Sequence, residues 1–334
     1  MANDTKKLHK AKANKYDEFY TRLEDIENEL KYYKDFFKGK TVLCNCDDPR
    51  ESNFFHYFAY SFEHLGLKKL ITTCYKSKNM DLFSQNDSKQ AVYLEYEGDK
   101  NGNKIPDAEE IGVKPLKGDG DFRSDECIEL LKQADVVVTN PPFSLLREYI
   151  AQLMKYEKKF LIIGDKNAIT YKEIFPLIRD NKIWLGKSVH SGEVLFKVTD
   201  EYYNTFKDKC KIDNNGNKCK GMGIRWFTNI EYSKRHEELE LYKKYSPCDY
   251  PKYNNYDVIE VGSTADIPMD YDGVMGVPIT FIDKYNSKQF EIIGMAEDNG
   301  KGYSGELSKW DGLNPHCIVN GVTKFKRIFI KRKK

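Results

Sequence analysis

The chain has 334 residues, of which 40% are hydrophobic, 32% charged and 13% aromatic. This composition allows one large domain or two ordinary ones with a sizeable core, and it excludes a wholly disordered chain. The longest apolar runs, such as 160–164, are about five residues long, whereas a transmembrane helix needs roughly 20. We therefore expect no membrane-spanning helix, and the Lys-rich N-terminus, which lacks an apolar segment, is not expected to be a secretory signal.

The net charge of +2 hides an asymmetry along the chain. Residues 1–15 carry a charge of +4 and residues 324–334 carry +7, which leaves −9 for the residues between them. Basic ends suit contacts with a phosphate backbone, although solvated termini explain the same composition. Within the tail, Phe325, Ile328 and Ile330 also fit a packed strand, so the sequence leaves these alternatives open.

The eight cysteines show no spacing typical of a structural metal site. Cys44 and Cys46 form a C-x-C pair, and Cys210 and Cys219 lie too far apart for one zinc knuckle. We therefore predict reduced thiols in a reducing cytoplasm and no bound metal.

Apolar periodicity and turn residues predict the secondary structure in chain order. Gly39 is expected to end the first helix, and Ser144 is expected to cap the fourth. The polar residues 77–110 are expected to form an elaborated loop or a hairpin. The predicted helices cover 17–37, 51–65, 125–133, 144–156 and 171–179; the first predicted strand begins at Lys40, and the others cover 67–75, 113–122, 135–139, 159–164 and 182–186.

Strands that alternate with helices over about 150 residues predict an α/β fold built on an open, doubly wound sheet. After residue 186 the pattern changes, and predicted strands at 193–198 and 223–229 fit a hairpin at the sheet edge. From residue 230 onwards helical periodicity is weak, and Pro, Tyr, Asp and Gly are frequent. We therefore predict a large domain over 1–229 and a smaller, irregular domain over 230–334.

The strongest chemical signal is the tetrapeptide Asn140-Pro141-Pro142-Phe143, directly after the strand at 135–139. In doubly wound sheets, ligands bind beyond the carboxyl ends of the strands, where this tetrapeptide is expected. Two prolines fix the direction of one backbone carbonyl, and the Asn side chain adds a second hydrogen-bond acceptor. Such a pair suits a planar amino group, and Phe143 offers a face on which a base can stack. The structural alternative is a Pro-rich turn that closes the strand.

With this tetrapeptide the chain resembles the EcoRI-type family of adenine-N6 DNA methyltransferases. The similarity runs from about Leu8 to the C-terminus, in segments that include DEFYT (17–21), CNCDDPRESNFF (44–55), GDGDFRS (118–124) and VVTNPPFSLLREY (138–149). The resemblance implies a Rossmann-like methyltransferase sheet and transfer of a methyl group from S-adenosylmethionine to a flipped-out adenine in double-stranded DNA. It also implies a cytoplasmic enzyme, either an orphan methylase or part of a restriction-modification system. No obligate protein partner is expected, and a restriction endonuclease would be a functional partner only.

The resemblance places cofactor binding after the first strand, in the segment CNCDDP (44–49), which lacks the glycine-rich FxGxG pattern of other methyltransferases. It assigns Asn45 to this site, and it assigns Asp47 or Asp48 to the cofactor's amino group, because a carboxylate complements an ammonium. Acids that cap the following helix are the alternative for either aspartate. The ribose contact, expected at 72–75, is not assigned to one residue.

Two further pairs match motifs of the family. Tyr20 and Thr21 precede the first strand and would hydrogen-bond the methionine carboxylate, although the N-terminus of a helix explains the same residues. Asp121 and Phe122 match a motif in which an acid accepts a proton from the cofactor's adenine and an aromatic ring packs on it. Asp119 or a plain Asp-Gly turn is the alternative there.

The two acceptors explain how the transfer would proceed. The N6 lone pair of adenine is conjugated into the ring and is a poor nucleophile. If the Asn140 oxygen and the Pro141 carbonyl each accept one N6 hydrogen, the nitrogen is drawn toward tetrahedral geometry, and no general base is needed before attack. The adenine must be flipped out of the duplex to reach them, with Phe143 stacked on one face and Phe196 as the candidate for the other.

Target recognition is expected in residues 230–334, where base readout needs Arg, Lys, Asn or Gln in a groove, while the basic tail contacts phosphates. Two other functions stay open: methylation of an RNA or protein-glutamine amino group at the same tetrapeptide, and an inactive DNA-binding relative. The sequence does not select among the candidate readout residues Arg225, Lys234, Arg235, Asn254 and Asn255.

Overall fold

The structure of the chain, a computed structural model, describes residues 20–46, 52–73, 91–103, 106, 110–189, 192–296 and 316–333. The chain divides into two compact units. The first combines Met1–Ile174 with Gly186–Glu231, and the second combines Phe175–Leu185 with Tyr232–Lys334. The segment Phe175–Leu185 thus belongs to the second unit, although the chain returns to the first unit after it. A single boundary drawn along the sequence does not show this.

The described residues contain short helices and strands, and none of these helices is long and apolar enough to cross a membrane. The α-helices are α1 Leu23–Leu30, α2 Asn53–Tyr60, α3 Phe62–Leu65, α4 Asp125–Gln133, α5 Leu146–Lys155, α6 Phe175–Arg179 and α7 Asp200–Thr205. The strands of the first unit are β1 Thr41–Asn45, β2 Lys69–Thr73, β3 Val92–Tyr96, β4 Gly112–Pro115, β5 Val136–Thr139, β6 Lys159–Asp165, β8 Val194–Lys197, β9 Lys211–Ile212, β10 Lys218–Met222 and β11 Ile224–Thr228. Those of the second unit are β7 Trp184–Leu185, β12 Ile259–Glu260, β13 Met275–Pro278, β14 Phe290–Met295, β15 Cys317–Val319, β16 Val322–Lys324 and β17 Arg327–Arg332.

The core of the first unit is a sheet whose strands follow the order β4-β3-β2-β1-β5-β6-β11. The four strands in its middle, β2, β1, β5 and β6, run parallel. Every residue of β1 and β5 is buried, as expected for strands covered on both faces and rich in Val, Leu and Cys. The predicted α/β fold is therefore confirmed.

Antiparallel strands flank this parallel core, so the sheet is mixed. β3 and β4 form an antiparallel pair beyond β2, and β11 runs antiparallel to β6. The predicted strand at 113–122 is reduced to the exposed edge strand β4, and the expected loop at 77–110 contains β3. In the described part of that stretch, β3 forms one strand of an antiparallel hairpin with β4; residues 77–90, 104–105 and 107–109 lie outside the described part of the chain.

The predicted hairpin between 193–198 and 223–229 is wrong. β8 pairs with β10 in a separate sheet of order β8-β10-β9, whereas β11 joins the central sheet. The reason is burial: all five residues of β11 are buried, including Trp226 and Phe227, so the strand needs cover on both faces. β8 alternates buried and more exposed residues, which suits a sheet with one solvated face.

Three predicted helices begin later than the sequence pattern indicates. Ser144 does not cap the helix, because Phe143–Leu145 forms a 3-10 turn in which the Leu145 N–H donates to the Pro142 carbonyl at 2.9 Å, and α5 begins at Leu146. The helix predicted from Tyr171 is limited to α6. The helix predicted over 17–37 is divided into α1 and a 3-10 turn at Lys34–Phe37, and Gly39, with φ of +71°, follows that turn.

The second unit contains a four-stranded sheet in the order β12-β13-β17-β14. β17 lies inside this sheet, and its residues Ile328, Phe329 and Ile330 are fully buried. The Phe329 ring packs on that of Tyr256, with the centroids 4.9 Å apart. Residues 324–334 therefore contain a packed strand. Of the alternatives that the sequence leaves open for the tail, the structure thus supports the packed strand.

A buried ion pair ties β17 to β12. Arg327 Nη2 lies 2.6 Å from Glu260 Oε1, Arg327 Nε lies 3.0 Å from Glu260 Oε2, and the two side chains are 11% and 9% exposed. The Tyr253 hydroxyl also donates to Glu260. Both oxygens of the buried carboxylate are thus satisfied, as a buried charge requires.

We expect Glu260→Ala to lower the free energy of unfolding by about 3–5 kcal/mol, because it leaves the Arg327 guanidinium buried without its carboxylate. Urea unfolding followed by tyrosine and tryptophan fluorescence measures the loss. The matched control is Glu291→Ala, which removes an exposed glutamate from β14 of the same sheet. Equal losses in the two variants would contradict a special contribution of the buried pair.

Candidate active site

The tetrapeptide Asn140-Pro141-Pro142-Phe143 follows β5 directly, at the carboxyl end of the parallel core. The Asn140 side chain is only 7% exposed, and Pro141 is buried. The Pro142 carbonyl closes the 3-10 turn that begins α5. That contact makes the Pro141 carbonyl, rather than that of Pro142, the candidate acceptor beside the Asn140 amide.

Asn45 lies at the end of β1, the strand next to β5, and joins the two strand ends. The Thr139 hydroxyl donates to the Asn45 backbone carbonyl, and the Tyr149 hydroxyl donates to Asn45 Oδ1. Cys46 then turns the chain with φ of +82°. Because Thr139 immediately precedes Asn140, the predicted cofactor residue Asn45 is adjacent to the predicted catalytic segment. Asp47 and Asp48 lie outside the described residues.

The predicted pair Asp121 and Phe122 makes two sets of contacts: Phe122 packs against α5, and Asp121 pairs with Arg123. Phe122 is 7% exposed, its ring meets the Tyr149 ring edge-on at 4.9 Å and 73°, and its carbonyl accepts a 2.8 Å hydrogen bond from Gln152. Arg123 grips the Asp121 carboxylate with two contacts, Nε to Oδ1 at 2.9 Å and Nη2 to Oδ2 at 2.7 Å. The Asp121 hydrogen bond raises the pKa of the Arg123 guanidinium further above its ordinary value. This fork fixes the direction of the Asp121 oxygens.

Tyr20 and Thr21 precede α1 and lie beside β8. The backbone of Tyr20 exchanges two hydrogen bonds with Lys197, at 3.1 and 3.2 Å. The Thr21 carbonyl accepts a 2.6 Å hydrogen bond from Asn53 Nδ2 at the start of α2. The structure therefore places this pair before the helix rather than in its first turn, and it fixes the backbone of both residues.

Two buried threonine hydroxyls are candidates for contact with a ligand. Among the described residues, Oγ1 of Thr21 and Oγ1 of Thr72 are buried oxygens that make no hydrogen bond. An unsatisfied buried hydroxyl costs about 1–3 kcal/mol, so a polar ligand that reaches it regains that free energy. Thr21 is a predicted cofactor residue, and Thr72 belongs to the expected ribose segment, of which Cys74 and Tyr75 lie outside the described part of the chain.

Phe143 and Phe196 are in contact. Their ring centroids lie 6.4 Å apart with the planes at 88°, and Phe196 is fully buried while Phe143 is partly exposed. A base held between two rings needs parallel faces, which this edge-on pair does not offer. Phe143 thus presents the accessible ring, and the buried Phe196 ring packs against it edge-on. The stacking role of Phe196 stays a prediction.

The structure reduces the number of candidate base-readout residues. Arg225 is 7% exposed in β11, and its Nη1 donates to the Ile224 carbonyl at 2.8 Å. Arg235 is equally buried, with its guanidinium 3.4 Å from the centroid of the Trp184 ring. The Asn255 amide donates to the His316 carbonyl at 2.6 Å. Of the five candidates, the two exposed ones are Lys234 and Asn254.

Sequence reasoning missed Tyr149, Gln152 and Arg123, which hold the predicted residues in place. Tyr149 and Gln152 lie three residues apart and thus on one face of α5. That spacing, on the helix that follows the tetrapeptide, is the signal that could have identified them. Arg123 follows Asp121 closely, and a carboxylate two residues before an arginine is too common to indicate a site.

Comparisons with known proteins agree on one family. The family model described as "Adenine-specific methyltransferase EcoRI" matches residues 7–333. The chain is 49% identical to the type II methyltransferase M.EcoRI of Escherichia coli, over 98% of this chain and 97% of that protein. It is 38% identical to the type II methyltransferases M.MgeORF184P of Mycoplasma genitalium (97% of this chain, 98% of that protein) and M.MpnI of Mycoplasma pneumoniae (86% and 84%). No solved structure matches the chain.

Proposed function

The chain belongs to the EcoRI family of adenine-specific methyltransferases, and from that premise we propose that S-adenosylmethionine is its methyl donor and that it flips the target adenine out of the duplex. The activity is that of an adenine-specific DNA methyltransferase. The observation that carries the proposal is the contact between Asn45, at the end of β1, and Thr139, the residue before Asn140. It joins the predicted cofactor-binding end of β1 to a pair of acceptors for an amino group at one edge of the sheet.

The residues at this edge fit S-adenosylmethionine, which when bound supplies an electrophilic methyl group. Thr21, with its buried hydroxyl, would donate to the methionine carboxylate, and Tyr20 lies beside it. Asp47 or Asp48 would meet the amino group, although neither belongs to the described residues. The remaining candidates would hold the cofactor's nucleoside part: Asn45, Asp121 and Phe122.

Asn140 and Pro141 act on the target nitrogen. Asn140 Oδ1 and the Pro141 carbonyl each accept one N6 hydrogen and draw the nitrogen out of conjugation, so that its lone pair becomes available for attack. Positive charge then develops on the nitrogen, and two acceptors already fixed by β5 and by the proline backbone stabilise it without reorganisation. No side chain has to remove a proton before the methyl group is transferred.

We assign target recognition to residues 230–334 and propose that the protein acts on double-stranded DNA without an obligate protein partner. A restriction endonuclease, where one exists, would be a functional partner only. The seven cysteines among the described residues are free thiols, which fits a reducing cytoplasm as the place of the reaction.

The direct test is long-read sequencing of DNA from a host that expresses the chain, together with label transfer from S-adenosylmethionine to DNA, RNA and protein. The proposal expects N6-methyladenine at one sequence context and no transfer to RNA or protein. Label in RNA or in a glutamine side chain would replace it. No label and no binding of S-adenosylmethionine would indicate an inactive DNA-binding relative.

With the site known, we expect 2-aminopurine at the target position to gain fluorescence on binding, because a flipped base escapes quenching by its neighbours. Phe143→Ala should give a larger rise and bind about 5- to 160-fold more weakly, since stacking on an aromatic ring contributes about 1–3 kcal/mol per base. Stopped-flow fluorescence and titration measure both effects. The control is Tyr60→Ala, which removes an aromatic ring that is 69% exposed on α2. A Phe143→Ala signal equal to that of the control would contradict the stacking role.

A further inference from the structure

We propose that Tyr149 is a positioning residue that fixes two cofactor-binding segments, the end of β1 at Asn45 and the residues before α4 at Phe122, through one hydroxyl and one ring edge. The inference rests on the proposed function, in which these segments hold S-adenosylmethionine. Tyr149 lies on α5 and is 2% exposed, so its contacts are internal and it does not itself reach the substrate.

The contacts of Tyr149 reach both segments at once. Its hydroxyl donates to Asn45 Oδ1 at the end of β1, and its ring packs edge-on against Phe122, with 4.9 Å between the centroids. One turn further along α5, Gln152 Nε2 donates to the Phe122 carbonyl at 2.8 Å. A single helix face therefore fixes the positions of two segments that lie far apart in the sequence.

The hydroxyl acts as a donor and not as an acid or base. Burial raises the pKa of Tyr149 well above its ordinary value, so the proton stays on the phenol at any working pH. Because the hydroxyl donates, the oxygen of the Asn45 amide faces Tyr149, and the amide nitrogen is turned to the other side of the planar group. Tyr149 thus holds Asn45 in this orientation, in which the amide N–H groups would be available to polar atoms of the cofactor.

Asn45 also links the cofactor-binding segment to the catalytic segment. The Asn45 backbone carbonyl accepts from the Thr139 hydroxyl, and Thr139 precedes Asn140. Asn45 is 6% exposed, so neither of these hydrogen bonds is readily replaced by water. Loss of the Tyr149 hydroxyl should therefore act first on cofactor affinity, because the backbone link to β5 remains.

Tyr149→Phe is the sharpest test, since it removes one oxygen and keeps the ring against Phe122. We expect S-adenosylmethionine to bind about tenfold more weakly by titration calorimetry, the fold-change for one buried hydrogen bond. Single-turnover methylation at saturating cofactor should stay within about threefold of the unmodified protein. Tyr156→Phe, which removes a hydroxyl just after the end of the same helix, is the control and should leave the affinity unchanged.

A double-variant cycle with Asn45→Ala separates positioning from general loosening of the fold. If Tyr149 acts through Asn45, Tyr149→Phe should change the affinity by less than about twofold in the Asn45→Ala background. A full tenfold loss in that background would overturn the inference, and so would an unchanged affinity of the single variant. Should Tyr149→Phe not fold, Asn45→Ala alone removes the acceptor, and an unchanged affinity of that variant overturns the inference.

The two proposals fail in different ways. Absence of S-adenosylmethionine binding to the unmodified protein contradicts the proposed function. Normal binding to the unmodified protein and equal binding to Tyr149→Phe contradicts only the role of Tyr149.

Discussion

Asn140→Ala is expected to reduce single-turnover methyl transfer by at least about 100-fold while cofactor affinity and the unfolding midpoint stay close to those of the unmodified protein. Loss of one fixed hydrogen-bonding group that stabilises developing charge costs about 10²–10³ in rate. Here the group is the Asn140 oxygen, and without it one N6 hydrogen has no acceptor and the lone pair stays conjugated. The rate is measured with saturating S-adenosylmethionine and specific DNA.

Two further variants identify the cause of that loss. Asn140→Asp keeps an oxygen in place of Oδ1 and should retain more activity than Asn140→Ala, because the acceptor is what matters. Asn28→Ala, at an exposed position of α1, should transfer methyl groups at the normal rate. An Asn140→Ala rate within threefold of the unmodified protein would contradict the paired-acceptor mechanism.

Local sequence signals predict the parallel core well. The runs at β1, β5 and β6 are short, apolar and closed by polar residues or prolines, so burial on both faces leaves few alternatives to a strand. The tetrapeptide at 140–143 follows β5 directly, and its position at the carboxyl edge follows from that strand alone. These parts of the fold and site depend on neighbours in the sequence.

The supporting contacts of the site join residues that are distant in the sequence, so their pairing could not be predicted. The spacing of Tyr149 and Gln152 marks one face of α5, but no pattern identifies Asn45, 104 residues earlier in the sequence, as the partner of Tyr149. Likewise β8 and β11 are both plausible hairpin partners by their composition. β11 lies in the central sheet because all five of its residues are buried, and only a strand covered on both faces buries them all.

The basic residues around β17 make this strand difficult to predict from the sequence. In β17, Ile328, Phe329 and Ile330 are flanked by Arg327 and by basic residues that follow, so composition favours a solvated tail. The three apolar residues are consecutive because β17 lies inside a sheet and is covered on both sides. Burial rather than charge therefore decides the structure of this segment.

Deletion of residues 324–334 is expected to unfold the second unit. The deletion removes three fully buried side chains, each of which contributes about 1.5–3 kcal/mol by burial, and the arginine that neutralises Glu260. The sum is comparable to the whole stability of a typical domain, about 5–15 kcal/mol. Circular dichroism and thermal unfolding should show the loss, and specific DNA binding should disappear with it.

The charge of the tail can be tested separately from its packing. Lys331 and Lys333 are exposed, so the double variant Lys331→Gln with Lys333→Gln removes two positive charges and leaves the buried side of β17 intact. We expect its melting temperature to match the unmodified protein, while the slope of log K against log salt for DNA binding falls by roughly one unit per lost phosphate contact. An unchanged slope would show that these lysines are solvated. A truncated chain that keeps its circular dichroism and melting transition would instead contradict the structural role of β17, because the sheet would then be stable without its inner strand.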